Sequence, residues 1–348
     1  MTMIDWVTAL VPCSHPLPVN GGLVVSVSPD GAIEWQTHKH LSVSGSHESS
    51  IQVRTETVSG TGEGASLRIH GNPVKWFQGH NLFGSDDLVG LVAELMHALT
   101  PLLELTPTSD DIAMWWAGNW TITRIDVTQT FSLSSRADVR AWLRSAEHSA
   151  HMRHRGKGMF QNGTLYFGKH SRRWSLKCYS KGDECETPGH LLPSALQVPG
   201  LLSYADTALR VELVLRSMEL KRRRLDLASN WGESDTLEAF NECLQGLQMS
   251  DVHTLPSAVL SDLPPRLVAV YHLWIEGHDL RAMYPKPTFY RYRSQLLEHG
   301  VDIAIKQPRE DRSNVVPLVR VLEAKPASIP NWAYGTPLLF EPRRRIVG

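Results

Sequence analysis

The stretch TLYFGKHSRRWSLKCYS, residues 164–180, decides how the sheet of this protein is built. It holds two runs of strand composition, Thr164 to Gly168 and Arg173 to Ser180, with four residues between them. Parallel strands need a crossover of about a dozen residues or more, so these two runs must pair as antiparallel neighbours. In the second run, apolar side chains alternate with Lys177 and Tyr179, which indicates a sheet with one buried face and one polar face.

The strand pattern continues outwards from this stretch. Residues 1 to about 85 hold short strand-like runs separated by glycine-rich turns, and Leu67 to His70 alternates apolar with basic side chains. Further elements are predicted as follows: strands from Asn119 to Thr130 and from Ala208 to Arg216, and helices whose N-caps are Ser85 and Ser135. The expected fold class is α+β, with a mainly antiparallel central sheet flanked by helices.

Beyond Leu263-Pro264-Pro265 the composition becomes helical. The predicted helices run from Arg266 to Glu276, Asp279 to Met283 and Thr288 to His299. Two short helices around a tight break form a helix-turn-helix-like pattern, although an ordinary helical cap explains it equally well. We therefore expect two domains, residues 1–262 around the sheet and residues 263–348 as a smaller helical domain with an irregular tail.

Composition excludes several classes of protein. With 348 residues, 42% of them apolar, the chain can bury a large core, and a net charge of −1 gives no global sign of a nucleic-acid partner. No apolar run is long enough to span a membrane, and the start has an acid where a secretory leader is positive, so a cytoplasmic protein is expected. The four cysteines lack the spacing of a zinc site, and no disulfide is expected.

Basic residues concentrate in one segment, from His148 to Gly182. It contains four histidines and no acid, and its eight basic residues are Arg153, Arg155, Lys157, Lys169, Arg172, Arg173, Lys177 and Lys181. Most basic runs are solvated faces. Here the absence of acids, and the nearby aromatic residues Phe160, Tyr166 and Trp174, favour binding of a polyanion such as DNA.

Tyr179 lies between Lys177 and Lys181 on the polar face of its predicted strand. Two ammonium groups would stabilise the phenolate and lower the pKa of the tyrosine, as an attacking oxygen requires. An isolated tyrosine at such a position is more often a surface residue with a hydrogen-bonded hydroxyl, so both interpretations stay open.

Two other strands carry lone carboxylates beside arginines. Asp126 shares a face with Arg124, and Glu212 shares a face with Arg210. If these faces meet, the two carboxylates could hold a hard divalent cation such as Mg²⁺ or Mn²⁺. Arginine–carboxylate bridges that stiffen the sheet are the alternative.

The segment from Gly71 to Gly84 is predicted to be rich in loops, with His80 and Asn81 exposed just before the first long helix. A glycine-rich helix start favours anions, but the Gly-Lys-Ser/Thr of a phosphate loop is missing. His80 and Asn81 are therefore taken as possible support for an active site.

Together these segments resemble the replication initiation proteins of filamentous bacteriophages, the gene II protein family, which is related to the initiators of rolling-circle plasmids. The resemblance spans roughly residues 70 to 305. It depends on Gln78 to Gly84, Arg124 to Thr128, Leu176 to Lys181, Arg210 to Glu212, and Pro287 to Tyr292 followed by Leu296 and Gly300.

The resemblance implies an endonuclease that nicks and rejoins one DNA strand at the viral plus-strand origin, leaving a covalent 5′-phosphotyrosine and a free 3′-hydroxyl. Tyr179 matches the attacking tyrosine, and Lys177 and Lys181 would assist it. Which of Asp183, Glu184 and Glu186 matches the family's acid stays open. The His-x-His metal motif of many rolling-circle initiators is absent, so Asp126, Glu212 and Glu184 are assigned to the metal by role.

Partners follow from the same resemblance. The expected partners are double-stranded and single-stranded origin DNA, a host helicase and a host polymerase, in the cytoplasm of the bacterial host. The residues expected to bind DNA are Arg124, Arg153, Arg155, Arg172, Arg173, Tyr290, Arg291 and Arg293. The alternatives are a non-catalytic origin-binding protein and, last, a tyrosine recombinase, whose Arg-His-Arg set is not recognisable in the sequence.

Overall fold

The computed structural model describes residues 2–58, 60, 62–152, 156–245, 247–249, 260, 263–299, 301, 303–304 and 325–343. Its strands are β1 Thr2–His15, β2 Leu23–Val27, β3 Ile33–His38, β4 Leu41–Ser44, β5 Ser50–Val58, β6 Gly64–Gly71, β7 Thr121–Ser132, β8 Ala150–Met152, β9 Gly156–Lys157, β10 Met159–Gln161, β11 Thr164–Phe167, β12 Trp174–Ser180, β13 Ala208–Arg216, β14 Leu247–Met249 and β15 Lys325–Pro326. Its helices are α1 Pro73–Gln78, α2 Leu88–Leu102, α3 Ser109–Ala117, α4 Arg136–Ser149, α5 Lys181–Glu184, α6 Pro199–Thr207, α7 Ser217–Arg223, α8 Asp235–Gln245, α9 Pro265–Ile275, α10 Leu280–Met283 and α11 Lys286–Leu297.

A ten-stranded sheet dominates the first part of the chain. Its strand order is β10-β11-β12-β13-β7-β1-β6-β5-β4, with β15 also paired to β7, and all these pairs are antiparallel. The strands β2 and β3 form a separate hairpin, and β14, β8 and β9 form a small third sheet. The expectation of a mainly antiparallel α+β fold is confirmed.

Helices cover one face of this sheet. Apolar side chains of α2, α3, α4, α7 and α8 share one core with alternate residues of the strands, such as Val7, Ile69, Ile125 and Leu213. These strand residues face the helices because alternate side chains of a strand point to the same side. The polar residues that alternate with them along each strand therefore lie on the opposite face, which carries the candidate site.

The structure corrects three helix predictions. The segment expected to be loop-rich contains α1, because Asn72 accepts a hydrogen bond from the Lys75 amide as an N-cap and Pro73 fits the first helical turn. Helix α2 is capped by Asp87, two residues after Ser85. Helix α3 was not expected from the sequence, although Thr108 and Asp111 cap it reciprocally.

The helices α9, α10 and α11 form a small cluster with a core of its own, built around Tyr271, Trp274, Phe289 and Leu296. Most residues between this cluster and the sheet, where the domain boundary at 262/263 was expected, lie outside the described part of the chain. The prediction of a helical C-terminal region is confirmed. Among the residues that the structure describes, no helix is both long and apolar enough to cross a membrane.

Residues 325–343 return to the sheet domain. Lys325 and Pro326 pair with β7, and the ring of Phe340 stacks on Phe77 with 3.9 Å between ring centroids. Arg343 forms an ion pair with Glu94 of α2. The tail is mostly irregular, as expected, but its described part is packed against the first domain, a contact that no sequence pattern indicated.

Candidate active site on the polar face of the sheet

The candidate site lies on the face of the sheet that points away from the core helices. Lys177 and Tyr179 of β12 alternate onto this face, and Lys177 pairs in register with Glu212 of β13. Two residues further along β13, Val214 pairs with Asp126 of β7. The strands that carry Tyr179, Asp126 and Glu212 therefore bring these polar side chains to one surface.

Tyr179 and Glu212 are in direct contact there. The Tyr179 hydroxyl donates to Glu212 Oε2 at 3.4 Å, and Lys177 Nζ binds Glu212 Oε1. Lys177 Nζ also lies 4.0 Å from Asp126 Oδ2, so one ammonium group bridges both carboxylates. The tyrosine is 8% exposed, which means that a strand of DNA reaches its hydroxyl only if covering groups move.

The expectation that Lys177 and Lys181 lower the pKa of Tyr179 is wrong for this structure. Burial raises the pKa of the phenol well above its usual range, and the charges of Glu184 and Glu212 raise it further. Both ammonium groups are already engaged, Lys177 by Glu212 and Lys181 by Glu184. The phenol is therefore protonated, and Glu212 is the acceptor for its hydrogen.

The two central carboxylates differ in their surroundings. Arg124 donates to both oxygens of Asp126, at 2.8 and 2.6 Å. Burial raises the pKa of Glu212, the neighbouring carboxylates Asp126 and Asp5 add to the increase, and Lys177 opposes it. Like charges held this close favour either a shared proton or a cation between them.

The three predicted metal ligands do not form one set. Asp126 and Glu212 lie together, but Glu184 binds the Lys181 ammonium, which is also anchored by Asn81. In the described ranges, no group of three His, Cys, Asp or Glu side chains is arranged to hold a metal ion. The oxygen donors of Asp126 and Glu212 nevertheless fit a hard divalent cation in kind.

Asp5 is a site residue that the sequence reasoning missed. It is 8% exposed and accepts hydrogen bonds from Asn72 at 2.8 Å and Asn81 at 2.7 Å. Asn81 in turn accepts from Lys181 at 2.8 Å, so a polar chain links β1 to the start of α5. An acid inside the apolar run from Ile4 to Leu10 was the available signal.

Arg210 is the register partner of Tyr179 and is completely buried. Its guanidinium donates to Thr128 Oγ1 at 2.9 Å and to the backbone carbonyls of Asn81 and Leu82. These bonds fix the segment before α2 to the sheet. Asn81, predicted as support for the site, is thereby held against β13 as well as contacting Lys181.

The expectation that His80 is exposed is wrong: the side chain is buried beside the site and has a structural role. Its Nε2 donates to the Leu338 carbonyl at 2.9 Å, and its Nδ1 accepts from the Leu82 amide at 3.3 Å. Burial lowers the pKa of His80 to about 4, so the ring is neutral at pH 7. The histidine ties the returning tail to the segment that Arg210 also holds.

Stability should therefore depend on pH through His80. Its folded pKa of about 4 lies below the ordinary 6.5, so the unfolded state binds the proton first and stability falls as pH drops between these values. From pH 7 to pH 5 this contributes a loss of about 2 kcal/mol. Urea unfolding at both pH values should show a loss of at least this size, and His80→Gln should reduce it by about 2 kcal/mol, leaving the share of His70, whose pKa burial also lowers to about 4. An unchanged pH dependence in the variant would contradict the assignment.

The other residues expected to bind DNA are spread over the molecule. Arg124 lies at the site, whereas Arg172 and Arg173 are exposed just before β12, and Arg173 binds Glu219 at 2.8 Å. Arg153 and Arg155 lie outside the described residues. The residues predicted on the C-terminal helices, Tyr290, Arg291 and Arg293, lie on α11, where Tyr290 and Arg291 are exposed.

Comparison with known proteins identifies related sequences over nearly the whole chain. The N-terminal family of the phage replication-associated protein, the gene II protein, matches residues 3–234, and its C-terminal counterpart matches residues 264–339. The replication-associated protein of Enterobacteria phage I2-2 is 43% identical over 331 residues, covering 94% of this chain and 96% of the relative. The corresponding protein of Enterobacteria phage M13 is 25% identical and covers 78% of each chain.

A solved rolling-circle replication initiator protein from Geobacillus stearothermophilus shows a weak structural likeness. It is 13% identical, and the match covers 73% of this chain and 88% of that one with a TM-score of 0.28. A TM-score this low does not establish a shared fold.

Proposed function

The chain belongs to the replication-associated gene II protein family, and on that premise we propose that it starts rolling-circle replication by nicking and rejoining one strand at a viral origin. The observation that carries the proposal is the contact between the Tyr179 hydroxyl and Glu212, beside Asp126 on the face of the sheet that points away from the core helices. A potential nucleophile, a proton acceptor and a second carboxylate meet there. These are the groups that transfer of a phosphodiester to a tyrosine requires.

In the proposed reaction, Tyr179 Oη attacks the phosphorus of the scissile phosphodiester. A bond forms between the phenol oxygen and phosphorus, and the bond to the 3′ oxygen breaks. The leaving 3′ oxygen takes a proton from water to give a free 3′-hydroxyl, while the phenol proton passes to Glu212. The DNA remains attached through a 5′-phosphotyrosine. The reaction exchanges the phosphoester bond to the 3′ oxygen for one to the tyrosine oxygen. Because a phosphoester is kept, attack by a 3′-hydroxyl can later reverse the step and rejoin the strand.

The phenol proton needs an acceptor, because the raised pKa of Tyr179 keeps it protonated before attack. Glu212 Oε2 is the atom that receives its hydrogen bond. Proton transfer to a positioned carboxylate during attack would remove the cost of forming a free phenolate in a buried site. Lys177, which binds the other Glu212 oxygen, is placed to offset charge that builds on the phosphate.

A divalent cation, Mg²⁺ or Mn²⁺, would be held by Asp126 and Glu212, in competition with Arg124 and Lys177, which bind these carboxylates now. When bound, such a cation polarises a phosphate and offsets the charge of its oxygens. Glu184 is left out of this ligand set because Lys181 neutralises it.

The test uses supercoiled double-stranded DNA that carries the cognate viral origin, incubated with the full chain and Mg²⁺. The proposal predicts an open-circular product with protein attached at its 5′ end. A second candidate function, a non-catalytic origin-binding protein, is favoured by the burial of Tyr179. It predicts specific binding with neither a nick nor an adduct, even with manganese in place of magnesium.

Recognition of the origin duplex is proposed for the helices α9 to α11, through the side chains of α11. Replacing Arg291 and Arg293 by alanine should lower affinity for origin duplex by about tenfold or more, the scale of a lost base contact. Affinity for unrelated duplex should fall less. Competition gel-shift assays measure both, with Arg144→Ala, an exposed change on α4, as a control that should alter neither affinity. Equal losses on both duplexes would assign the two arginines to the phosphate backbone.

The nicked DNA product indicates which host proteins would act next. A free 3′-hydroxyl is the group that a host polymerase extends, and unwinding from a nick is the work of a host helicase. Both partners are proposed from this chemistry.

A further inference from the structure

A partly exposed tryptophan lies next to the catalytic candidates. Trp6 of β1 is the register partner of Asp126, on the same face as Tyr179. The His70 ring is nearly parallel to its indole, with 6.1 Å between ring centroids and 21° between planes. On the other side of β1, the guanidinium of Arg124 of β7 lies 5.5 Å from the indole centroid. Nothing in the proposed reaction uses this aromatic surface.

Two arginines face each other beside this tryptophan. Arg124 of β7 and Arg216 of β13 are register partners, so their side chains leave the sheet on the same face. Arg124 is bound by Asp126, but Arg216 donates to the hydroxyl of Ser175 at 3.2 Å, and no carboxylate of the described residues forms an ion pair with it.

Like charges directly opposite each other destabilise a sheet. The pair therefore costs stability in the free protein, and an anion between the two guanidiniums would remove that cost. An arginine beside an aromatic ring on a sheet offers what one nucleotide needs, namely a cation for its phosphate and a flat surface for its base.

From this arrangement we propose a nucleotide subsite in which the Arg124 guanidinium moves off the indole, an unpaired base stacks on the face of Trp6 that it covered, and the phosphate of that nucleotide binds Arg124 and Arg216. The ligand is single-stranded DNA, because a base that is still paired inside a duplex does not expose its face to an indole on a flat sheet. The inference rests on the proposed function, for which the subsite would hold the melted strand beside Tyr179. Trp6 and Arg216 are then positioning residues that act on the strand and do not touch the reacting atoms.

The test measures binding of a fluorescein-labelled oligothymidylate of about 20 nucleotides, since base stacking tolerates any sequence. All proteins are full chains in a Tyr179→Phe background, so that no covalent product forms. Trp6→Ala should weaken binding about tenfold without changing its salt dependence. Arg216→Gln should weaken binding and reduce the slope of log K against log salt by about 0.7, the value for one phosphate of a single strand.

Matched variants exclude general effects. Trp35→Ala removes an exposed tryptophan of β3. Arg144→Gln removes an exposed arginine of α4, a helix on the covered side of the sheet. Both variants should bind oligothymidylate as tightly as the parent does. Trp6→Phe should keep most of the affinity, and it covers the case in which the alanine variant does not fold. Affinity for the matching adenine–thymine duplex should change less than about twofold in every variant.

Two results would overturn the subsite: folded Trp6 and Arg216 variants that bind oligothymidylate as tightly as the parent, or equal losses on the duplex. Neither depends on cleavage. Failure of Tyr179 to form an adduct would overturn the proposed reaction and leave this binding result intact.

Discussion

Tyr179→Phe should abolish the covalent protein–DNA adduct and lower the rate of nicking by at least about 10³-fold, the scale of losing a nucleophile. The substitution removes one oxygen and keeps the ring, which is 8% exposed in its packed position. Binding to origin DNA should stay within about threefold, a change below about 1 kcal/mol. The measurement compares open-circular product and adduct from supercoiled origin DNA with gel-shift affinity on the same preparations.

A neighbouring tyrosine provides the control. Tyr166 of β11 is the register partner of Lys177, and Lys169 lies 4.8 Å from its ring centroid, so it is also a tyrosine beside lysines on this sheet. Tyr166→Phe should nick at the normal rate. If Tyr179→Phe also nicks normally, Tyr179 is not the nucleophile, whatever its contact with Glu212.

Glu212→Gln should lower the nicking rate by about 10² to 10⁴-fold, the contribution usual for a general base. The amide keeps the size of the side chain, but it cannot take the phenol proton and is a poor ligand for a hard cation. The amide leaves Lys177 Nζ with Asp126, 4.0 Å away, as its carboxylate partner, so thermal unfolding must show a folded variant before rates are compared. Rates should be measured with the nick site saturated, so that binding does not contribute.

Asp126→Asn separates the two roles proposed for the carboxylates. This change releases Arg124 and removes one oxygen ligand, so the concentration of Mg²⁺ needed for half-maximal nicking should rise. Glu242→Gln, an exposed carboxylate bound by Arg223, is the control and should have no effect on nicking. If neither Glu212→Gln nor Asp126→Asn alters nicking or its metal requirement, both carboxylates act only as ion-pair partners in the sheet.

Much of the architecture could be predicted from short connections and alternation. The four residues between the strands at Gly168 and Arg173 required an antiparallel pair, and the alternation around Tyr179 placed its hydroxyl on the polar face. The side of the sheet used by the candidate site was thus available from sequence.

The electrostatics of the site could not be predicted in the same way. Alternation identifies which lysines share a face with Tyr179, but not that Lys177 is taken by Glu212 and Lys181 by Glu184. Nor does it show that the phenol is buried, which reverses the expected direction of its pKa shift. Both facts depend on contacts between segments that are distant in the chain.

Long-range contacts also explain the residues that were missed. Asp5 joins the site only because a bulge between Ile4 and Trp6 interrupts the pairing of β1 with β7 at that point. The tail reaches His80 through the Leu338 carbonyl, 258 positions along the chain. A local pattern contains neither the bulge nor that contact.

The central claim is that the hydroxyl of Tyr179 becomes covalently joined to the 5′ phosphate of the nicked strand. The direct measurement is mass spectrometry of the trapped adduct after digestion with a protease and a nuclease. We expect a phosphate-linked nucleotide on the peptide that contains Tyr179 and on no other. A nucleotide on a different residue, or nicked DNA whose 5′ phosphate carries no peptide, would contradict the claim.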